Sequence, residues 1–231
     1  MPNRLYDRHR RLDEERRCHG DEKSRGIETF AAVVNSDSPS TFPFRLPTWA
    51  VSVARRQRTP ITTISDRMNF VIQLALTNVT ARTGGPFGAA VFDTMTGRLI
   101  AVGVNVVEPT NCSLAHAEMV ALANAHRVLA HFDLGANGMP RLELVTSCEP
   151  CAMCYGGIIW SGVRHLVCSA RASDATAIGF DEAPKPKNWV ATLERRGISV
   201  VRDVGRSEAI AVFQRYRQTG GRVYNARKGP I

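Results

Sequence analysis

From Asp66 to Gln218 the chain alternates segments of helical period with short β-branched runs, and few architectures accommodate that alternation. Asp66 reads as the cap of a helix over about 67–83, with Met68, Val71, Ile72, Leu74, Ala75 and Val79 on one side. Gly84, Gly85 and Pro86 stop it. FGAAVF and RLIAVGV, joined by the turn DTMTG, read as a β-hairpin. LAHAEMVALANAHRVLA has helical period, LELVTS is a strand, and a helix is expected from Cys151 to Ser161, because Pro150 suits a helix start. RHLVCSA, a short helix near Ala191, the strand ISVV and a helix over about 207–218 complete the series. The order α-β-β-α-β-α-β-α-β-α predicts an α/β fold, a mixed five-stranded sheet sandwiched between helices. Residues 171–188 read as loop and 45–65 as a basic linker with LPTWAV as a docking piece. Residues 1–44 read as a poorly ordered extension before a domain spanning 45–231 that ends in a tail, GGRVYNARKGPI.

Composition excludes several classes. No run of 18 apolar residues occurs, so no membrane span is expected. The N-terminus has no apolar stretch behind its charges, and its Asp and Glu argue against a transit peptide, so the expected compartment is the cytoplasm. A net charge of +9 suits a soluble basic protein or a nucleic-acid partner. No RNA-binding signature and no basic stripe interleaved with aromatics supports the second reading. Six cysteines without a secretory signal argue against a disulfide framework. The cluster Cys148, Cys151 and Cys154 points to metal or redox chemistry.

His116-Ala117-Glu118 is followed by Pro150-Cys151-Ala152-Met153-Cys154, with 35 residues from His116 to Cys151. Each half alone is weak; the two together match the recognised signature of zinc deaminases. Catalytic zinc takes three protein ligands of N and S type and keeps one position for water. His116 opens one helix. Cys151 and Cys154 share a face of the first turn of another, whose positive end favours thiolates. Two helix starts facing each other across the sheet are expected to hold one ion. Glu118, two residues past the ligand, is expected in the adjoining cavity as a proton shuttle. Cys148 and Cys112 read as packing thiols. A three-cysteine structural or redox site is the competing interpretation.

On these residues the chain resembles the cytidine-deaminase-like superfamily, and within it the guanine deaminase branch, whose bacterial members include enzymes that also take ammeline. The likeness spans roughly Leu46 to the C-terminus. GGPFGAAVF, AVGVN, SLAHAEMVAL, TSCEPCAMCYGGIIWSGV, AIGFDEAPKPKNW and VYNARKG carry it. The resemblance implies a three-layer α/β/α sandwich, a zinc cofactor, a small-molecule nucleobase substrate and a homodimer. It implies that Asn105 binds the base edge, Phe87 stacks below the ring and the Ala117 N–H contacts a ring acceptor. Glu182 would be a second catalytic carboxylate, and the tail, through Tyr224, would cover the partner subunit's site. Two departures stand out: the long N-terminal segment, and a Glu at 182 where many members carry Asp.

Two other functions compete. A tRNA adenosine deaminase shares the zinc motifs but needs an open groove beside the site. A non-catalytic zinc-stabilised binding module needs a protein ligand in the fourth position, Cys148 for example, and leaves Glu118 unexplained.

Overall fold

A computed structural model describes residues 44–225. The expected extension over 1–44 lies outside them except for Phe44, which packs against the core. The described elements are α1 (Thr48–Arg56), α2 (Ile64–Thr80), β1 (Gly88–Asp93), β2 (Leu99–Val104), α3 (Val107–Thr110), α4 (Ala117–Leu129) and β3 (Leu142–Cys148). There follow α5 (Ala152–Ser161), β4 (His165–Ala170), α6 (Ala172–Ala177), α7 (Trp189–Arg195), β5 (Ser199–Val201) and α8 (Arg206–Gln218). No described helix is long and apolar enough to cross a membrane.

The five strands form one sheet in the order β2-β1-β3-β4-β5. β1 runs antiparallel to both neighbours, while β3, β4 and β5 are parallel, so the expected mixed sheet is present. Pleating divides the apolar side chains between two cores. Ala90, Phe92, Val145 and Val167 meet Met68, Val71 and Ala75 of α2 and Val212 and Phe213 of α8. Ala89, Val91, Leu144, Leu166 and Cys168 meet Ala121, Leu122 and Ala125 of α4, Ile158 of α5 and Leu193 of α7. This is the three-layer α/β/α sandwich.

Local detail departs from the sequence reading where side chains override pattern. The helix expected from 67 starts at Ile64, capped by Thr63, whose Oγ1 accepts from the Asp66 N–H at 3.0 Å. Asp66 sits in the first turn, where its charge suits the helix dipole. The expected linker over 45–65 contains α1, which packs on β2. Trp49 of α1 donates to Thr83 Oγ1 at 3.0 Å. The expected loop over 171–188 contains α6, held by Arg206, which donates twice to Asp174 at 2.8 Å.

Two close approaches fix the helices on the sheet. Arg67 and Glu143, each only 5% exposed, form an ion pair beneath α2, with Arg67 also donating to Ile61 and Thr62 carbonyls. Removing one partner of such a pair costs about 3–5 kcal/mol, because the other charge stays buried. On the opposite face, α4 lies directly against β2. A Cβ on Gly103 would stand 2.1 Å from the Ala117 carbonyl oxygen and 2.5 Å from the Ala121 nitrogen. Only glycine admits that contact.

The strand directions gather the expected functional segments. Phe87 precedes β1, Asn105 follows β2, and Glu149–Cys151 follow β3. All three leave the sheet at one end, the carboxyl ends of the parallel strands, where α/β sheets bind ligands.

Candidate active site

His116 is the N-cap of α4 and Cys151 the N-cap of α5, both with extended backbone. Both helices pack on the same face of the sheet, so their starts meet side by side and not across it. His116 Nδ1 lies 3.5 Å from Cys151 Sγ and 3.6 Å from Cys154 Sγ. Tetrahedral zinc with ordinary Zn–N and Zn–S bonds holds N and S ligands about 3.6 Å apart. The three ligand atoms, all within 4.8 Å of one another, therefore already match a zinc set. Cys151 is held as thiolate, its pKa lowered to about 4 first by the hydrogen bond with Cys154 and then by His116 against the cost of burial. Cys154 is pushed well above the usual thiol range by sharing its proton with Cys151 and by burial.

Cys148 closes β3 and stands apart from this set. Its thiol faces the Arg171 carbonyl at 3.8 Å, as the packing role requires. Cys112 is half-buried against the α2–α8 core. Among the described residues, the cluster able to hold a metal is His116, Cys151 and Cys154.

A cavity of about 350 Å³ opens beside this set, lined by Phe87, Asn105, Glu118, Met153, Glu182 and Tyr224 among others. Glu118 is 6% exposed, and burial, then the Cys151 thiolate, raises its pKa to about 7. Glu182 enters from the loop after α6, raised to about 8 by burial, the Cys151 thiolate and Glu118. Its Oε2 is buried without a hydrogen-bond partner among the described residues, and so is the Tyr224 hydroxyl. Two orphaned buried polar atoms facing one cavity cost about 1–3 kcal/mol each unless a ligand meets them. A hollow between α1, β2 and α4 slightly exceeds this cavity, at about 400 Å³, but contains no such chemistry.

The remaining expected contacts are placed as follows. Asn105 is 1% exposed and lines the cavity; its Oδ1 accepts from the Val107 N–H at 3.3 Å. Ala117 is the first residue of α4, so its N–H has no acceptor within the helix. Phe87 lines the cavity and packs edge-on against Phe180 and Phe213 at 5.0 and 5.5 Å, so it also belongs to the core. Tyr224 lines the cavity. Its hydroxyl rests where a Cβ on Gly85 would be, at 2.1 Å.

Several residues that hold this geometry were not singled out from the sequence. Fully buried Asn78 donates to the carbonyls of Gly85 and Asn105, both at 2.8 Å, joining the two walls. Glu149 sits behind the metal loop, bonded to Arg202 and to the Ala172 N–H. Asn225 bridges the tail to the loop after α6: Oδ1 accepts from the Asp181 N–H and Nδ2 donates to the Gly179 carbonyl, both at 2.9 Å. Only Glu149 carried a signal, its place inside the cysteine motif.

Residues 62–170 match the family model of the cytidine and deoxycytidylate deaminase zinc-binding region. A guanine deaminase of Bacillus subtilis is 37% identical over 146 residues, 63% of this chain and 88% of that protein. A solved guanine deaminase of Nitrosomonas europaea is 47% identical, covers 77% of this chain and 97% of that one, and has a TM-score of 0.74. A tRNA-specific adenosine deaminase of Buchnera aphidicola is 29% identical over 119 residues, 52% of this chain and 72% of that protein.

Proposed function

The chain belongs to the guanine deaminase branch of the cytidine-deaminase-like family, and from that premise we propose that it hydrolyses guanine to xanthine and ammonia, with ammeline as a second candidate substrate. The observation that carries this reading is the convergence, on one cavity sized for a single base, of the N/S/S donor set, Glu118 and the two orphaned polar atoms of Glu182 and Tyr224.

His116, Cys151 and Cys154 would hold the zinc. A zinc ion there would supply an activated water, its pKa lowered to near neutrality. Glu118, buried beside the cysteines, would take a proton from the attacking water on its carboxylate and pass it to a ring nitrogen of the base. Glu182, its carboxyl raised above the usual range first by burial, presents Oε2 to the exocyclic amine and supplies a proton as the C–N bond breaks. One water enters and one ammonia leaves: a C–O bond replaces the C–N bond, and the proton of the added hydroxyl returns to the carboxylates as the carbonyl forms, restoring Glu182. Asn105 Nδ2 and the Ala117 N–H meet acceptors on the base edge, Phe87 supports the ring face, and the Tyr224 hydroxyl closes the far side. The Asn225 bridge keeps the tail across the cavity. A free base fits beneath it, whereas a tRNA loop needs an open groove.

We assign a homodimer to the exposed apolar face of α5 and the segment after α4, where Trp160 is 87% and Phe132 86% exposed. Ammonia release from the zinc-loaded protein against guanine, ammeline, cytosine, guanosine and tRNA tests the substrate reading. Fast release from guanine with none from tRNA is expected; release from tRNA alone would overturn it.

A further inference from the structure

The loop after α6 carries Glu182, and two bonds join it to the loop that carries Cys151. The Ala152 N–H, at the start of α5, donates to the Glu182 carbonyl at 3.0 Å. Lys185 Nζ donates to the Pro150 carbonyl at 2.6 Å. Pro150 and Ala152 flank the metal-binding Cys151, so both bonds seize the metal loop at its centre. The Lys185 ammonium also lies 4.8 Å from the centre of the Trp189 ring, and Trp189 is 6% exposed. Arg202 lies 5.6 Å from the same ring and bonds Glu149, the residue before Pro150. A cation over an indole face gains about 0.5–2 kcal/mol, more where water is excluded. Trp189 thus gives Lys185 a fixed seat. Elsewhere the loop is held by the Asn225 bridge and by the Ala183 N–H on Asp181 Oδ1 at 3.0 Å, and Ala183 takes a left-handed backbone at φ 52°.

We infer that Lys185 is a positioning residue: seated on Trp189 and bonded to the Pro150 carbonyl, it locks the loop bearing Glu182 against the loop bearing Cys151. The inference rests on the reading of Glu182 as the second proton carrier. Lys185 touches neither ligand atoms nor the cavity; it acts through the spacing of two groups that do. A solvated lysine would do none of this, and the charge also lies on the side that partly offsets the burial of Glu182.

The test uses the full-length zinc-loaded protein as Lys185→Met, Lys185→Arg, Glu182→Gln and the double variant Lys185→Met/Glu182→Gln. Lys185→Met is expected to lower kcat for guanine about 10- to 100-fold, the scale seen when outer supports of a metal site are removed. KM should stay within about twofold and zinc at one per chain, because the contacts to base and ion remain. Lys185→Arg should restore most of the rate, since a guanidinium can donate to the carbonyl and stack on the indole. In the Glu182→Gln background the Lys185→Met loss should largely vanish. Independently of turnover, hydrogen exchange at the Ala152 amide should speed up in Lys185→Met and not in Lys185→Arg. Additive losses, loss of zinc as the sole defect, or unchanged exchange at Ala152 would each overturn the inference. A wild-type protein silent on guanine would overturn the substrate reading alone, and the exchange measurement would still decide the clamp.

Discussion

Replacing Gly103 with alanine tests whether the seat of α4 on the sheet is what aligns the metal ligands. The added Cβ would stand 2.1 Å from the Ala117 carbonyl oxygen and 2.5 Å from the Ala121 nitrogen, where real Cβ atoms keep at least 3.0 Å. Neither obstacle is a flexible side chain, so helix and strand must part by about 1 Å. Overpacking of this kind costs about 1–3 kcal/mol. At about 2–4 °C per kcal/mol for a domain of this size, Tm should fall by about 2–12 °C. Ala117 is next to His116 and one residue before Glu118, so the shift is passed directly to the 3.5 Å spacing between His116 Nδ1 and Cys151 Sγ. A 1 Å misplacement of reacting groups can cost about 100-fold in rate. Thermal melts, zinc content and guanine turnover on Gly103→Ala, beside Gly156→Ala as control, provide the assay. Gly156 lies in α5, where an added Cβ meets nothing within 4 Å, so alanine there should be neutral or stabilise by up to about 1 kcal/mol. Equal Tm and equal kcat for the two variants would refute the argument.

Glu118→Ala should retain zinc and fold while losing about 10²- to 10⁴-fold in kcat, measured by metal analysis and ammonia release. Cys151→Ala should lose zinc and Tm together, because the ligand set ties α4 to α5; stoichiometric zinc in that variant would count against the assignment. Gly85→Ala, whose Cβ would meet the Tyr224 hydroxyl at 2.1 Å, should displace the tyrosine and raise KM about tenfold, with Tyr224→Phe in the same chain recovering part of the loss. Arg206 holds the Asp174 carboxyl below its usual range, chiefly through their hydrogen bonds. That stability is present above the unfolded value of 3.8 and is lost as pH falls through the lower folded value. Arg206→Gln should therefore lower stability slightly at pH 7 and leave it unchanged in stronger acid, read from urea melts across pH.

Legibility in the sequence followed the range of the interactions. The sheet and its major helices were readable because pleat and helix periods are local, as the split of Ala89, Ala90, Val91 and Phe92 between two cores shows. The metal set was readable because two short motifs fix three ligand types. The first helix was hidden because Pro47 gives it no side-chain cap, and its reason to form is a neighbour, β2, more than forty residues away. α6 was hidden by an acidic, small-residue stretch whose partner, Arg206, arrives 32 residues later. Asn78, Lys185 and Asn225 look like solvated residues in the chain; each acquires meaning only from a backbone carbonyl or amide brought from elsewhere. The mutual position of α4 and α5, beside each other and not across the sheet, depends on which face each covers, and spacing alone does not encode that.

Gly103 separates the cavity walls by how much change each can absorb. His116 and Glu118 stand at the start of α4, which touches the sheet backbone to backbone, where any added atom is felt. The remaining walls of the cavity are Phe87, Asn105, the loop after α6 and the tail, where loop and tail are joined by side-chain bonds that can be exchanged one at a time. Selection acting on this fold meets a stiff half and a pliant half. Descendants of such a protein can change the ring they accept by editing loop and tail, while the hydrolytic engine is inherited intact.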